Sequence, residues 1–442
     1  MTEPVYGRLN DAPATFMLVG GRVIDPSNGT DAIRDLAVSD GRIVDEVAEW
    51  SERIDARGLV VAPGLCDLHA HLRQPGDPAV ETNESGSRAA ARGGYTTICA
   101  MPNTEPAVDT AAAVAGPSAD LSCRVRVVGA ATVGRAGQAP SELAAMADAG
   151  AVAFSDDGVA IGRDVAGGII AGLAELGVPL IEHAEDPELA SGTVMRDGPA
   201  ATRLGLAGWR VEAEATIVER DLALAAGTGA RVHFTHLSTA SALEAVRAAR
   251  GRGLAVTCDV TPHHLAMTDE WVAGSRRFAW EGAEPNETRA YDASCRVNPP
   301  LASRDDALAL LAGVADGTVD AIATDHAPHP PERKLVPFDE AAPGLIGLET
   351  ALSLGLAAVE AGRLGLPALV AAMSTRPAAI IGETRGLAVG DTADLVAFDP
   401  AARWAVEAGG LASRSSNTPL LGMELPGVVR LTVADGRVTY RS

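Results

Sequence analysis

Lysine is almost missing from this 442-residue chain: of its 36 basic residues only Lys334 is lysine, and the other 35 are arginine. Aromatic residues are scarce at 3%, so the core must be built from Ala, Val, Leu and Ile. The five cysteines (Cys66, Cys99, Cys123, Cys258, Cys295) are odd in number, widely spread and include no C-x-x-C pair. That argues against a disulfide framework or a Cys-based zinc site and fits a cytoplasmic protein in a reducing compartment. Positive charge is in deficit, with 36 Lys+Arg against 58 Asp+Glu leaving −22. So acidic a surface repels phosphate backbones and anionic lipid, which argues against nucleic-acid and membrane partners. No apolar run reaches the length of a membrane span, and the opening residues, MTEPVYGRLN, show no basic-then-apolar leader. At 47% hydrophobic and 21% charged the chain is globular, long enough for one barrel plus an accessory domain.

Residues 16–62 read as short strands with Gly and Asp-Gly turns, and 392–400 and 428–440 share that grammar. Both ends together predict one small β-sandwich-like domain from residues 1–62 and 386–442. The middle, 63–385, alternates β-like runs (94–102, 124–133, 151–157, 178–185, 231–238, 254–264, 320–328) with Ala-rich helical stretches such as 140–150 and 239–253. Repeated β-then-α units, with no G-x-G-x-x-G opening a helix, predict an α/β fold of the (β/α)8 TIM-barrel type. The charged, weakly periodic stretch 268–294 reads as an inserted loop.

The sharpest local feature is Asp67-Leu68-His69-Ala70-His71-Leu72-Arg73, directly after the apolar run LVVAPGL. In a strand, residues i and i+2 point the same way, so His69 and His71 aim at one place, and Arg73 continues that face if the strand persists. Nearly every later β-run also ends in a possible ligand: Asp156 and Asp157, His183, His236, His263 and His264, then Asp325, His326 and His329. Barrel strands converge at their C-terminal ends, where catalytic residues sit. Several histidines with carboxylates and no Cys cluster suit zinc or another borderline divalent ion.

The segments PGLCDLHAHLR (63–73), ARGGYTTICAMPNTEP (91–106), FSDDG (154–158), EHAED (182–186), HFTHLS (233–238), VTPHHL (260–265), RVNPPL (296–301), ATDHAPH (323–329), APGLIGLET (342–350) and SSNTP (415–419) occur in this order. In them the chain resembles the cyclic amidohydrolases, and among these the dihydroorotases whose metal pair is bridged by aspartate. The resemblance implies two divalent metal ions, most simply Zn2+: one on His69, His71 and Asp325, the other on His183 and His236, with Asp157 bridging both. It implies substrate contacts from His71, Arg73, Asn103, Asn298, His329 and the Pro343-Gly344 loop, and Asp325 as catalytic acid/base. The reaction implied is the interconversion of N-carbamoyl-L-aspartate and L-dihydroorotate in pyrimidine synthesis. A water shared by two divalent ions becomes a hydroxide near neutral pH. Implied partners are a small anionic substrate, a second copy of the chain in a homodimer, and an aspartate transcarbamoylase.

The resemblance selects Asp157 over Asp156, whereas chemistry alone could use either. Many relatives bridge their metals with a carboxylated lysine. Here Lys334 lies in PPERKLVP, which reads as an exposed loop, so the bridge must be a carboxylate. Pro343 stands where relatives commonly carry an aromatic. Asp67 is expected to orient a ligand imidazole, His233, His263 and His264 to be structural, and Cys66 and Cys99 to be small buried hydrophobes. The alternatives are a hydantoinase, dihydropyrimidinase or allantoinase, whose substrates lack a ring carboxylate, and a catalytically silent subunit that supports a transcarbamoylase.

Overall fold

The computed structural model describes residues 4–46, 48, 51–115 and 120–442. Short apolar runs, most of them followed by an Ala-rich helix, form eight parallel strands: β1 (Leu65–Ala70), β2 (Tyr95–Ala100), β3 (Arg124–Gly129), β4 (Ala153–Phe154), β5 (Leu180–Glu182), β6 (Val232–Phe234), β7 (Val256–Val260) and β8 (Ala321–Ile322). They pair in chain order. The ring closes where Ala70 bridges His326 and the His71 N–H donates to the His326 carbonyl at 2.8 Å. Cys66, Cys99, Val128, Ala153, Ile181 and Ala321 come from six different strands yet share one buried cluster. Residues on non-adjacent strands can meet only across a barrel axis, so this cluster is the barrel's interior. All five cysteines are free and buried, Cys66 and Cys99 in this interior, and burial pushes the Cys66 thiol up to about 12.

Helices wrap this ring through a second, larger core that contains Ile169, Ile170, Val218, Leu243, Leu310 and Leu352. The helical patterns read at 140–150 and 239–253 fold as Leu143–Asp148 and Ala240–Gly251. Local chemistry sets several ends. Thr239 caps Ala240–Gly251 by accepting from the Ala242 N–H, and Ser303 caps Arg304–Asp316 by accepting from the Asp306 N–H. Gly317, at φ +82°, then takes the left-handed turn that stops the latter helix.

The two ends of the chain build one mixed nine-stranded sheet. Its order is Val5–Tyr6, Arg437–Arg441, Glu424–Ala434, Leu395–Ala405, Val60–Pro63, Phe16–Asp25, Thr30–Ser39 and Arg42–Val44, with Glu52–Asp55 on Phe16–Asp25. No helix among the described residues is long and apolar enough to cross a membrane.

The 268–294 stretch is irregular, as its composition implies, with single 3-10 turns at Asp269–Trp271, Glu287–Arg289 and Ala293–Cys295. It is nonetheless well packed. Trp271 is fully buried, stacks on Phe278 with centroids 6.2 Å apart, and donates its indole N–H to Arg277 O at 2.7 Å.

Lys334 departs from expectation. PPERKLVP forms a short helix, Pro331–Lys334, and the lysine is buried while neighbouring Leu335 takes the exposed position. Its Nζ donates to the carbonyls of Ala293 (3.0 Å), Arg296 (3.2 Å) and Ala342 (2.6 Å). Irregular backbone leaves carbonyls without ladder partners, and one amine satisfies three of them. Burial pulls its pKa down to about 7.

Candidate active site

The barrel's strand ends bring six of the expected side chains together. His69 lies in β1 and His71 just beyond it; Asp157 follows β4, His183 follows β5, His236 follows β6 and Asp325 follows β8. All six are buried. Asp157 lies among the four imidazoles: its Oδ1 is 3.3 Å from His69 Nε2, 3.5 Å from His183 Nδ1 and 3.9 Å from His236 Nε2, and its Oδ2 is 3.7 Å from His71 Nε2. Asp325 Oδ1 lies 3.0 Å from His71 Nε2 and 3.5 Å from His69 Nε2. Asp156 turns away, accepting from the Thr132 N–H at 2.9 Å and from the Thr132 hydroxyl. Three residues at this rim hold left-handed backbone without being glycine: Arg73 (φ 55°), His236 (φ 42°) and Asp325 (φ 45°). Such conformations cost about 1 kcal/mol or more and gather at functional sites.

Among the described residues, two donor triads fit a cation: His69 with His71 and Asp325, and His69 with Asp157 and His236. His69 Nε2 and His236 Nδ1 are buried without a hydrogen-bond partner. Unpaired imidazole nitrogens beside two carboxylates are a donor set for a borderline divalent ion, so the residues present fit a metal. The electrostatics agree. Burial disfavours the charged imidazolium, yet Asp157 and Asp325 hold His69 up at about 9, and Asp157 with Glu185 holds His183 up at about 10. Against the same burial, the histidines keep Asp157 and Asp325 well below the usual carboxylate range. Each carboxylate and its neighbouring imidazoles thus favour one another's charged forms.

The side chains around the cluster correct some expectations. Asp67 does not touch an imidazole; it accepts from the Thr324 N–H (2.8 Å), the Thr324 hydroxyl (2.6 Å) and the His69 N–H (3.3 Å), tying β1 to the end of β8. The Thr235 hydroxyl holds the His69 ring instead, 2.9 Å from Nδ1. His233 lies 2.8 Å from both Thr257 Oγ1 and Asp259 Oδ2, and Asp259 accepts the His236 N–H at 2.6 Å. His264 meets the carbonyls of Pro299 and Pro300, at 3.1 and 3.2 Å, and burial lowers it to about 4. His263 is buried with Nε2 unpaired.

The expected substrate contacts line the same mouth. β1 ends at Ala70, so Arg73 is not carried on the strand face; its left-handed backbone aims it sideways, and Nε donates to Pro328 O at 3.2 Å. Asn103 faces the cluster, with Oδ1 2.7 Å from His71 Nδ1 and Nδ2 donating to Asp157 at 2.9 Å. Asn298 Nδ2 donates to Glu185 at 2.9 Å. Glu185 was not singled out from the sequence, although it stands at i+2 from His183 in EHAED. It lies 3.3 Å from His183 Nε2 and also accepts the Trp209 indole N–H at 2.9 Å. His329 Nε2 donates to Pro343 O at 2.8 Å, and burial with nearby Arg73 lowers its pKa to about 3. Gly344, at φ +129°, packs so tightly that a Cβ would lie 2.6 Å from the Ala327 Cβ and 3.0 Å from His329 Nε2.

A family model described as dihydro-orotase-like matches residues 58–242. The dihydroorotase of Anaeromyxobacter dehalogenans (strain 2CP-C) is 44% identical, the match covering 96% of this chain and 98% of that protein. The dihydroorotase of Geobacter metallireducens is 41% identical over 96% of this chain and 99% of that protein. Among solved structures, the L-hydantoinase (dihydropyrimidinase) from Arthrobacter aurescens superposes with a TM-score of 0.81 at 26% identity, covering 96% of this chain and 95% of that one. Near-full-length identity at this level, together with the histidine–aspartate cluster at the barrel mouth, places the chain in the dihydroorotase family.

Proposed function

We propose that this protein is a dihydroorotase that opens and closes the ring between L-dihydroorotate and N-carbamoyl-L-aspartate in pyrimidine biosynthesis. The observation that carries the reading is a guanidinium, Arg73, beside a buried cluster of four histidines and two aspartates. It is bonded to Pro328 O, three residues beyond Asp325, and is acted on by the charges of Asp325 and Asp157. The proposed ligands are His69, His71 and Asp325 for one divalent ion and His183 and His236 for a second, with Asp157 shared and zinc the metal. Such a pair supplies Lewis acidity, acidifying water and polarising the ring carbonyl.

The chain's own groups do the rest. Arg73 offers a planar fork to the ring carboxylate, with Asn103, Asn298, His329 and the Pro343-Gly344 loop fixing the ring's orientation. Asp325, kept ionised by His69 and His71, takes a proton from water as oxygen adds to the ring carbonyl. It returns that proton to the amide nitrogen as the C–N bond breaks. In this reading the catalytic domain spans 63–385, a composite domain comes from 1–62 and 386–442, and the enzyme is a cytoplasmic homodimer able to bind an aspartate transcarbamoylase.

Hydantoinase chemistry is the second reading, favoured by the superposition on the A. aurescens enzyme. Against it, those substrates have no ring carboxylate for Arg73, and the one lysine is bonded to Ala293, Arg296 and Ala342 rather than to the histidines. The test is an assay of purified protein, metal content measured, on dihydroorotate beside dihydrouracil and allantoin. Turnover of dihydroorotate alone is expected; preference for dihydrouracil or allantoin would overturn the reading.

A further inference from the structure

The segment SSNTP (415–419) lies between two strands of the terminal sheet, far in sequence from the barrel's strand ends, yet its asparagine reaches the mouth. Asn417 is buried. Its Oδ1 accepts the His329 N–H at 3.1 Å, and its Nδ2 donates to Ala327 O at 3.0 Å and Gly344 O at 3.1 Å. Its own carbonyl accepts the Ile346 N–H at 3.1 Å. One side chain therefore clamps two loops: 327–329, which carries His329, and the loop that carries Pro343 and Gly344. The loops also touch directly, through the Ala327 N–H on Leu345 O (2.8 Å) and His329 Nε2 on Pro343 O. No hydrogen bond links Asn417 to His69, His71, Asp157, His183, His236 or Asp325.

We propose that Asn417 is a positioning residue for substrate recognition, fixing His329 and the Pro343-Gly344 loop at the spacing the ring requires, without acting on the metal cluster. The chemistry suits an amide alone. Two carbonyls need a two-hydrogen donor and one N–H needs an acceptor, and an asparagine side chain offers both. Aspartate would set a carboxylate against two carbonyl oxygens; alanine would leave all three backbone groups unpaired. Gly344 admits no Cβ and so gives its loop no side chain of its own to lock it against His329. Asn417 adds a side-chain clamp to the two direct loop contacts.

The inference rests on the dihydroorotase reading, and the experiment separates the two. Kinetics on dihydroorotate are measured for the native protein, Asn417→Ala, Asn417→Ser, His329→Ala and the double variant Asn417→Ala/His329→Ala, with metal content and melting temperature for each. KM is expected to rise roughly tenfold in Asn417→Ala, the scale of one or two lost buried hydrogen bonds, with kcat and metal content changing far less. Asn417→Ser, which keeps one donor and acceptor, covers the case in which alanine does not fold and should show a smaller rise. If Asn417 acts through His329, its effect shrinks in the His329→Ala background. Unchanged KM in folded Asn417 variants, full additivity with His329→Ala, or loss of metal as the main effect would each overturn the assignment while leaving the function standing. A native enzyme inactive on dihydroorotate would overturn both.

Discussion

At the scale of single residues, two adjacent aspartates are chemically identical in sequence and opposite in environment. Asp157 faces four imidazoles while Asp156 is bonded to Thr132. Asp157→Ala is therefore expected to lose most of the bound metal, and more activity than the roughly 10–100-fold cost of losing a group that only orients a ligand. Asp156→Ala should retain its metal; elemental analysis beside the assay distinguishes them, and the reverse ranking would move the shared carboxylate to Asp156. Arg73→Met should weaken dihydroorotate binding by about 2–3 kcal/mol, a lost charged contact, with metal content intact. Retained affinity would put the carboxylate elsewhere. The histidines were legible because the i, i+2 pair and the strand ends have a period. Thr235, Asp259, Glu185 and Asn417 were not, because hydroxyls, amides and carboxylates occur in every turn, and only the fold shows which of them face a ligand.

Among the elements, the eight strands and the two helices within 140–150 and 239–253 were legible from alternation and Ala-rich periodicity. Packing of irregular segments was not. The 268–294 stretch and PPERKLVP both look solvated by composition, yet each buries a large side chain, Trp271 and Lys334. Likewise β1 ends at Ala70, and a backbone turn rather than the strand places Arg73. Lys334 pins its own short helix to the 293–296 turn and to the residue before Pro343, so Lys334→Met should cost about 1–3 kcal/mol of stability through unpaired carbonyls, without loss of metal. An unfolded lysine titrates near 10.5 and this one near 7. Between those values the unfolded chain holds the extra proton, so the native protein gains stability from this group as pH rises and loses that gain as pH falls through 7. The melting-temperature gap between native protein and Lys334→Met should widen from pH 6 to pH 9. A gap that stays constant would mean the buried amine remains protonated throughout.

For the molecule as a whole, a charge of −22 opposes the approach of an anionic substrate to a mouth where Arg73 stands. Raising ionic strength from about 10 mM to about 150 mM shortens the screening length from roughly 30 Å to roughly 8 Å, which mutes the distant surface more than the close contact. The expected result is a kcat/KM for dihydroorotate that rises with salt; a fall would mean that the local field around Arg73 governs encounter.

The terminal sheet carries a consequence for how the chain is made. Val60–Pro63 lies between Phe16–Asp25 and Leu395–Ala405, and among the described residues Val5–Tyr6 pairs only with Arg437–Arg441. Val60–Pro63 thus waits for a partner translated roughly 330 residues later and Val5–Tyr6 for one roughly 430 residues later, tens of seconds at ordinary rates of synthesis. Throughout that interval Val60–Pro63 lacks its neighbour on one side, and an unpaired apolar edge invites other chains. Nascent protein should therefore depend on chaperones in a way the finished enzyme does not.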